Sequence, residues 1–317
     1  MGAVSTGNPS PVARVALVTG ASKGIGRAVV AGMASRNFTV YLAARDEASG
    51  ESVAADLRSI GDVRFMPLDV TSQADVDAAA KRVDQDFGHL DVLVNNAGVS
   101  TLNHRPLDHL PKPTEETADD MRFVYEVNVF AVVRMINAFL PLLRRSPGGR
   151  IVNVTSKRGS IGEEGAWVGQ PSMVYSSSKT ALNALTVHYA RELADTPIKV
   201  NGAAPGFVAT DFNNFRGTRT PEEGAAVAIR LATLGPGGPT GAVFEDDTRL
   251  AWLHFHLSPV SHRAGCNLVS DSHAAVDAKA TTAASPLSFF PLRSRTAVVS
   301  KTRLVTACFK LAAKFVQ

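Results

Sequence analysis

The sequence predicts an α/β domain built on a doubly wound, parallel, seven-stranded sheet, and three observations predict it. Seven short apolar runs recur along the first 252 residues, they are apolar throughout rather than alternating, and segments of helical spacing separate them. Parallel neighbours cannot be joined by a tight turn, so the helical segments are the crossovers such a sheet requires.

The runs are RVALVTG from Arg14, FTVYLAA from Phe38, VRFMPLD from Val63, LDVLVNN from Leu90, GRIVNVTS from Gly149, IKVNGAA from Ile198 and GAVFEDD from Gly241. Two of the helices between them carry their own end signals. In SQADVDAAAKRVDQDFG, Ser72 caps the start with Asp75 three residues on, Val76, Ala79, Ala80, Val83 and Phe87 share one face, and Gly88 stops the helix. In TPEEGAAVAIRLATLG, Thr220 and Glu223 make a capping box, Pro221 takes the first turn and Gly235 ends it.

Residues 1–13 read as a flexible polar start and residues 14–252 as the single domain. From Leu253 the alternation breaks. Residues 253–317 have no acid after Asp277, and their last piece, KTRLVTACFKLAAKFVQ, sets Leu304, Cys308, Leu311 and Phe315 on one side of a basic helix. An extension of irregular structure is the expectation there, with a terminal helix as the alternative.

Composition narrows the function classes. A chain of 317 residues with 45% hydrophobic content supports one large core, while no run of 18 uninterrupted apolar residues and no signal-like opening is present. A cytoplasmic protein without a membrane span is expected. The net charge of +4 is uneven: residues 253–317 hold four Lys and four Arg against Asp271 and Asp277, which leaves about −2 for the domain. That body has no basic excess to match a phosphate backbone, so nucleic acid is not an expected partner. Cys266 and Cys308 both lie beyond the domain, which therefore depends on no thiol chemistry, and no metal site is expected.

Three local motifs carry chemistry. TGASKGIG, residues 19–26, sits between the first strand and the first helix. Gly20 permits the sharp turn, Gly24 admits a pyrophosphate close to the backbone and Gly26 lets the helix pack on the sheet; Ser22, Lys23 and Ile25 complete the loop. At the end of the second strand, where an NAD site carries an acid, stand Ala44 and Arg45. Arg45 with Lys23 is suited to bracket a 2′-phosphate, which favours NADPH/NADP+ over NADH; Asp46 is the contrary detail. In YSSSK, Tyr175 and Lys179 lie one helical turn apart, so a phenol of ordinary pKa near ~10 has a cation beside it that favours the phenolate.

Taken in order, TGASKGIG, the NNAG of residues 95–98, the Asn of VYEVNVF, the Ser of IVNVTS, YSSSK and PGFVATD resemble the short-chain dehydrogenase/reductase family over residues 14–252. LAARD, LDVLVNNAG and the late APGFVATD, TPEEGA and FEDD resemble its carbonyl-reductase-like members. The resemblance implies a Rossmann fold and an oxidoreductase that reduces a ketone or aldehyde with NADPH. It implies Tyr175 as proton donor and acceptor, Lys179 beside it on the nicotinamide ribose, Ser156 on the substrate carbonyl, and Asn128 supporting a water that relays protons to Lys179. It also implies adenine contacts from Asp69 and Val70, approach to the ribose by the turn that Asn95 begins and Ala97 and Gly98 continue, and a nicotinamide loop of Pro205, Gly206, Val208 and Thr210.

Two departures qualify it. That family usually places its serine nearer the tyrosine than the 19 positions from Ser156 to Tyr175, so a longer loop is expected and Ser160 competes for the role. Trp167, Met173 and STLNHRPLDHLPKPTEETADD after NNAG are expected walls of a pocket for a small carbonyl substrate. Members of this kind stop just after the last strand, so the resemblance implies an ending at Trp252 and treats the remainder as added sequence, for which translation past an intron or frame boundary is one origin. Pairing into a homo-oligomer through the fourth and fifth helices is an open expectation, opposed by the long loop. The rival functions are alcohol oxidation with NADP+ and a non-catalytic NADP-binding regulator.

Overall fold

The computed structural model describes residues 13–100, 111–163 and 172–251. The extension from residue 253 with its basic helix, Trp167, and residues 101–110 of the segment after NNAG lie outside the described residues.

The elements follow the expected alternation. They are β1 (Arg14–Thr19), α1 (Gly24–Ala34), β2 (Phe38–Ala44), α2 (Glu47–Leu57), β3 (Val63–Pro67), α3 (Gln73–Phe87), β4 (Val92–Asn95), α4 (Ala118–Tyr125), α5 (Ala131–Leu143), β5 (Arg150–Val154), α6 (Met173–Glu192), β6 (Lys199–Ala204), α7 (Pro221–Ala232), β7 (Val243–Glu245) and β8 (Thr248–Arg249). The sheet order is 3-2-1-4-5-6-7-8, with every pairing parallel except the last. The chain reverses its winding between β1 and β4, which opens a crevice beyond the carboxyl ends of the strands.

Strand period two distributes each strand between two cores. Ala16 and Val18 face one core with Val29, Val30 and Met33 of α1 and Val227, Ala228 and Leu231 of α7. Val15 and Leu17 face the other, with Val76 and Val83 of α3, Met135, Ile136 and Phe139 of α5 and Leu182 of α6. The continuous run from Ala118 to Leu143 is long and apolar enough to cross a membrane, at a mean hydropathy of 1.5, yet its apolar side is spent on this second core.

Two expectations need adjustment. The sheet has an eighth strand because GAVFEDD turns back on itself. Asp246 takes φ 50°, the left-handed conformation hairpin turns favour, and Arg219 fixes it with a 2.7 Å bond to its carboxylate. Gly235 does not end α7. The helix stops at Ala232, where the Thr233 hydroxyl bonds back to the Ile229 carbonyl at 2.9 Å. Ser72, Gly88, Thr220, Glu223 and Pro221 do act at the helix ends where their chemistry puts them. Between α4 and α5 the helix widens into one π-helical turn, Glu126–Phe130.

At the amino end of the sheet, Arg150 is buried and donates to four carbonyls: Leu234 at 2.6 Å, Gly148 at 2.8 Å, Gly149 at 2.9 Å and Pro197 at 3.2 Å. One planar guanidinium thus ties the loops before β5 and β6 to the segment after α7.

Candidate active site

The glycine turn is shaped by what it packs on. The Thr19 hydroxyl accepts the backbone N–H groups of Asn96 and Ala97, each at 3.0 Å, while the Asn96 side chain donates to the carbonyls of Thr19 (2.8 Å) and Gly20 (3.0 Å). Gly20 has φ +62°, and a Cβ there would sit 2.8 Å from the Ala97 Cα. At Gly26 a Cβ would sit 2.5 Å from Asn96 Nδ2. Both positions exclude a side chain, which presses the turn against the residues after β4 and opens α1 at Gly24 with no side-chain cap from Lys23. An uncapped helix start offers N–H groups and a positive dipole end to an anion.

A cleft of about 1200 Å³ lies beyond the strand ends. Gly20, Ser22, Lys23, Gly24, Ile25 and Gly26 line it, as do Arg45 after β2, Asp69 and Val70 after β3, Ala97 and Gly98 after β4, and Pro205, Gly206, Val208 and Thr210 after β6. Ser156, Tyr175 and Lys179 border the same space. Asn95 does not. As the last residue of β4 it faces its register partner in β5, donating to Asn153 Oδ1 at 2.9 Å, and its neighbour Asn96 takes the place on the cleft wall. Period two within the strand decides which of the two asparagines looks outward.

The polar groups at the β2 end are arranged differently from the expected bracket. Lys23 forms an ion pair with Asp211 from the loop after β6 rather than standing with Arg45. Asp46 caps α2, accepting the Ser49 N–H at 2.8 Å, and hydrogen bonds from the Ser49 hydroxyl and then its N–H hold the carboxyl below the usual range. Burial raises Asp69, but bonds from the Thr71 N–H (2.9 Å) and hydroxyl (2.7 Å) together with the charge of Arg45 bring it net below the usual range. Arg45 is therefore the exposed guanidinium at the end of β2.

Tyr175 and Lys179 rise from the first turns of α6 on one face, with the Lys179 Nζ 5.7 Å from the Tyr175 ring centre. Lys179 is 4% exposed, donates to the Val154 carbonyl at 2.9 Å, and burial pushes its pKa down to about 8. The expectation that this cation would favour the phenolate is not met. Burial raises Tyr175 above its ordinary value, and the groups that oppose the rise are the Ser156 hydroxyl, hydrogen-bonded to the phenol, and the charge of Arg158. The Lys179 ammonium, 5.7 Å from the ring centre, is not among the groups that lower the phenol.

Ser156, and not Ser160, meets the phenol. Ser160 donates to the Ala251 carbonyl at 2.5 Å and accepts from the Gly162 and Glu163 N–H groups, so it holds the loop. Asn128 is buried in the π-helical turn off the cleft wall. Its Oδ1 accepts the Val99 N–H at 2.8 Å, and its Nδ2 donates to the Val99 carbonyl (2.9 Å) and the Ser178 hydroxyl (3.0 Å). A Cβ on Gly98 would lie in ordinary contact with Asn128 Oδ1 at 3.4 Å and Lys179 Nζ at 3.6 Å, so the turn runs directly beside both. Sequence reasoning missed Asn96, Asp211, Arg158, Phe207 and Phe212 on the cleft wall. Asn96, Phe207 and Asp211 had a signal, their places in NNAG and PGFVATD.

Comparison with known proteins places the chain in a family. A family profile described as short chain dehydrogenase matches residues 14–220. The short-chain dehydrogenase anuI of Penicillium roqueforti is 36% identical over 246 residues, covering 74% of this chain and 94% of that one. Carbonyl reductase [NADPH] 3 of Rattus norvegicus is 31% identical over 290 residues, covering 77% of this chain and all of its own length. The solved structure of NADPH-bound carbonyl reductase from chicken fatty liver superposes with a TM-score of 0.67 at 27% identity, over 76% of this chain and 99% of that one.

Proposed function

Because this chain belongs to the short-chain dehydrogenase family, we propose that it is an NADP(H)-dependent oxidoreductase that reduces a ketone or aldehyde to an alcohol, with Tyr175 delivering the proton. The carrying observation is a phenol that burial keeps neutral, hydrogen-bonded to Ser156 and one helical turn from a buried lysine, inside the cleft that the glycine turn borders. A neutral phenol can act as the acid that a carbonyl reduction requires.

The residues fit a phosphorylated dinucleotide. Two glycines that admit no Cβ border an uncapped helix start, and a guanidinium stands at the end of β2 where a 2′-phosphate is read. When bound, that cofactor supplies the hydride from its nicotinamide. The chain's own groups do the rest. The turn and α1 take the pyrophosphate, Arg45 the 2′-phosphate, and the 205–210 loop the nicotinamide end. Ser156 holds the substrate oxygen against the phenol, Tyr175 gives its proton, and Lys179 steadies the charge left behind. The relay water expected at Asn128 would meet an amide engaged at both Oδ1 and Nδ2, so we assign Asn128 to positioning Val99 beside Lys179.

The test is Tyr175→Phe assayed with NADPH and NADH against a panel of ketones and aldehydes. Cofactor binding should persist and turnover should fall by about 10² to 10⁴ fold, the worth of a positioned acid. Unchanged turnover refutes the assignment, and rates measured in both directions decide between reduction and oxidation.

A further inference from the structure

We propose that Asn153, Thr155, Asn183 and Thr186 are positioning residues for the reaction, a buried polar ladder between β5 and α6 that fixes the strand end carrying Ser156 in register with the helix face carrying Tyr175; its effect on turnover rests on the carbonyl-reducing reading above. The first support is that the contacts come in sequence. Asn153, Val154 and Thr155 are consecutive, and all three engage α6. Asn153 Nδ2 donates to the Thr186 hydroxyl at 2.9 Å, the Val154 carbonyl accepts Lys179 Nζ at 2.9 Å, and the Thr155 hydroxyl donates to Asn183 Oδ1 at 2.6 Å. Ser156 is the next residue, and its hydroxyl is hydrogen-bonded to the Tyr175 phenol.

The second support is phase. Strand period two puts Asn153 and Thr155 on the side of Ile151, which shares a core with Leu182 of α6, while Val152 and Val154 face the other core. On α6, Tyr175, Lys179, Asn183 and Thr186 follow at steps of four, four and three, so they form one stripe along the helix. The reactive pair and the ladder therefore share a helix face, and moving one moves the other.

The third support is burial. Asn153 and Thr186 are 0% exposed, Thr155 and Asn183 3%, so water cannot replace a lost partner. At one end the ladder runs on into β4, where Asn95 donates to Asn153 Oδ1 at 2.9 Å; at the other, the Thr186 hydroxyl donates to the Leu182 carbonyl at 3.0 Å. The turn after Ser156 grips the same helix, since a Cβ on Gly159 would meet the Lys179 carbonyl carbon at 2.7 Å and Asn183 Nδ2 at 2.9 Å. Apolar contacts tolerate a small slide of helix over strand. Hydrogen bonds depend on angle as well as distance, and a slide here would leave buried polar atoms unpaired. A purely apolar interface would hold α6 on the sheet; this one also sets where along β5 it stands.

Thr155→Val combined with Asn183→Leu removes both sides of one rung while keeping its shape. Because both partners leave together, the melting temperature should move by less than about 4 °C, and NADPH binding by fluorescence titration should stay within about twofold of wild type. With the carbonyl panel, kcat should fall by about 10 to 100 fold, the cost of a small misplacement of reacting groups, whereas Thr155→Ser, which keeps the hydroxyl, should retain wild-type turnover. Fluorine NMR of protein labelled with fluorotyrosine reads the same contact without substrate. The Tyr175 resonance, identified by its absence in Tyr175→Phe, should move in the double variant toward its position in Ser156→Ala. Thr155→Val alone repeats both readings should the double variant not fold. Unchanged kcat, or a loss of kcat matched by an equal loss of NADPH affinity, overturns the proposal, as does a Tyr175 resonance that stays at its wild-type position. A wild type that turns over no carbonyl compound sinks the reductase reading instead, and the resonance then decides the ladder alone.

Discussion

Replacing Lys179 by Met should remove a pH dependence from the stability of the free protein. The Lys179 ammonium is 4% exposed, and burial lowers its pKa from 10.5 to about 8. The unfolded chain therefore binds a proton that the folded chain sheds between those two values, so the folded state is penalised below pH 8 and relieved of the penalty above 10.5. Each pH unit of that shift is worth ~1.4 kcal/mol, which makes the penalty about 3 kcal/mol at pH 8 and about 1 kcal/mol at pH 10. Met matches the length of the chain and carries no charge, but it leaves the Val154 carbonyl without this donor, a cost of about 1 to 3 kcal/mol that does not vary with pH. The difference between wild type and variant should therefore move by about 2 kcal/mol in favour of the wild type from pH 8 to pH 10, whatever its sign at either end. Urea unfolding of both proteins at pH 7, 8, 9 and 10 measures it. Parallel stability curves would refute a buried ammonium of lowered pKa at this position.

Arg45→Ala should weaken NADPH by about 10 to 100 fold and NADH far less, because only the former presents a 2′-phosphate to the guanidinium; an equal loss for both cofactors, read by fluorescence titration, would contradict the assignment. Gly20→Ala should cost about 2 kcal/mol or more of stability, since φ +62° and a contact at 2.8 Å with the Ala97 Cα both oppose a methyl group, and a thermal melt within a degree of wild type would show that the turn gives way. Arg150→Met should cost about 2 to 4 kcal/mol, the carbonyls of Leu234, Gly148, Gly149 and Pro197 losing their donor while a buried charge is also removed; a loss below about 0.5 kcal/mol would mean that water replaces the guanidinium there.

What could be read in the chain was local. Strand runs, the caps at Ser72 and Thr220, the glycine turn and the spacing of Tyr175 and Lys179 all depend on neighbours within a few positions, and those features stand where they were expected. What could not be read was set by distant partners. Asn95 and Asn96 exchange roles because β5 decides which way β4 presents its last residue. Lys23 turns to Asp211, nearly two hundred positions away, and no pattern around Lys23 announces it. The direction of the Tyr175 shift depends on how deeply α6 is covered, a property of the assembled domain, and so it opposed an argument made from the neighbouring lysine alone.

The widened turn at Glu126–Phe130 sets the phase between the two halves of one helix. A π-helical turn accommodates an additional residue, and each residue of a helix advances the side chains by roughly 100°. Deleting any one of these five positions would let the run close into a regular helix and swing α4 around by that angle relative to α5. With Met135, Ile136 and Phe139 holding α5 on the sheet, the rotation would fall on the Asn128 amide and carry it off Val99 and Ser178. A single missing residue there would be more damaging than most substitutions, because it misaligns the strand-end residues that face Lys179 without touching any of them.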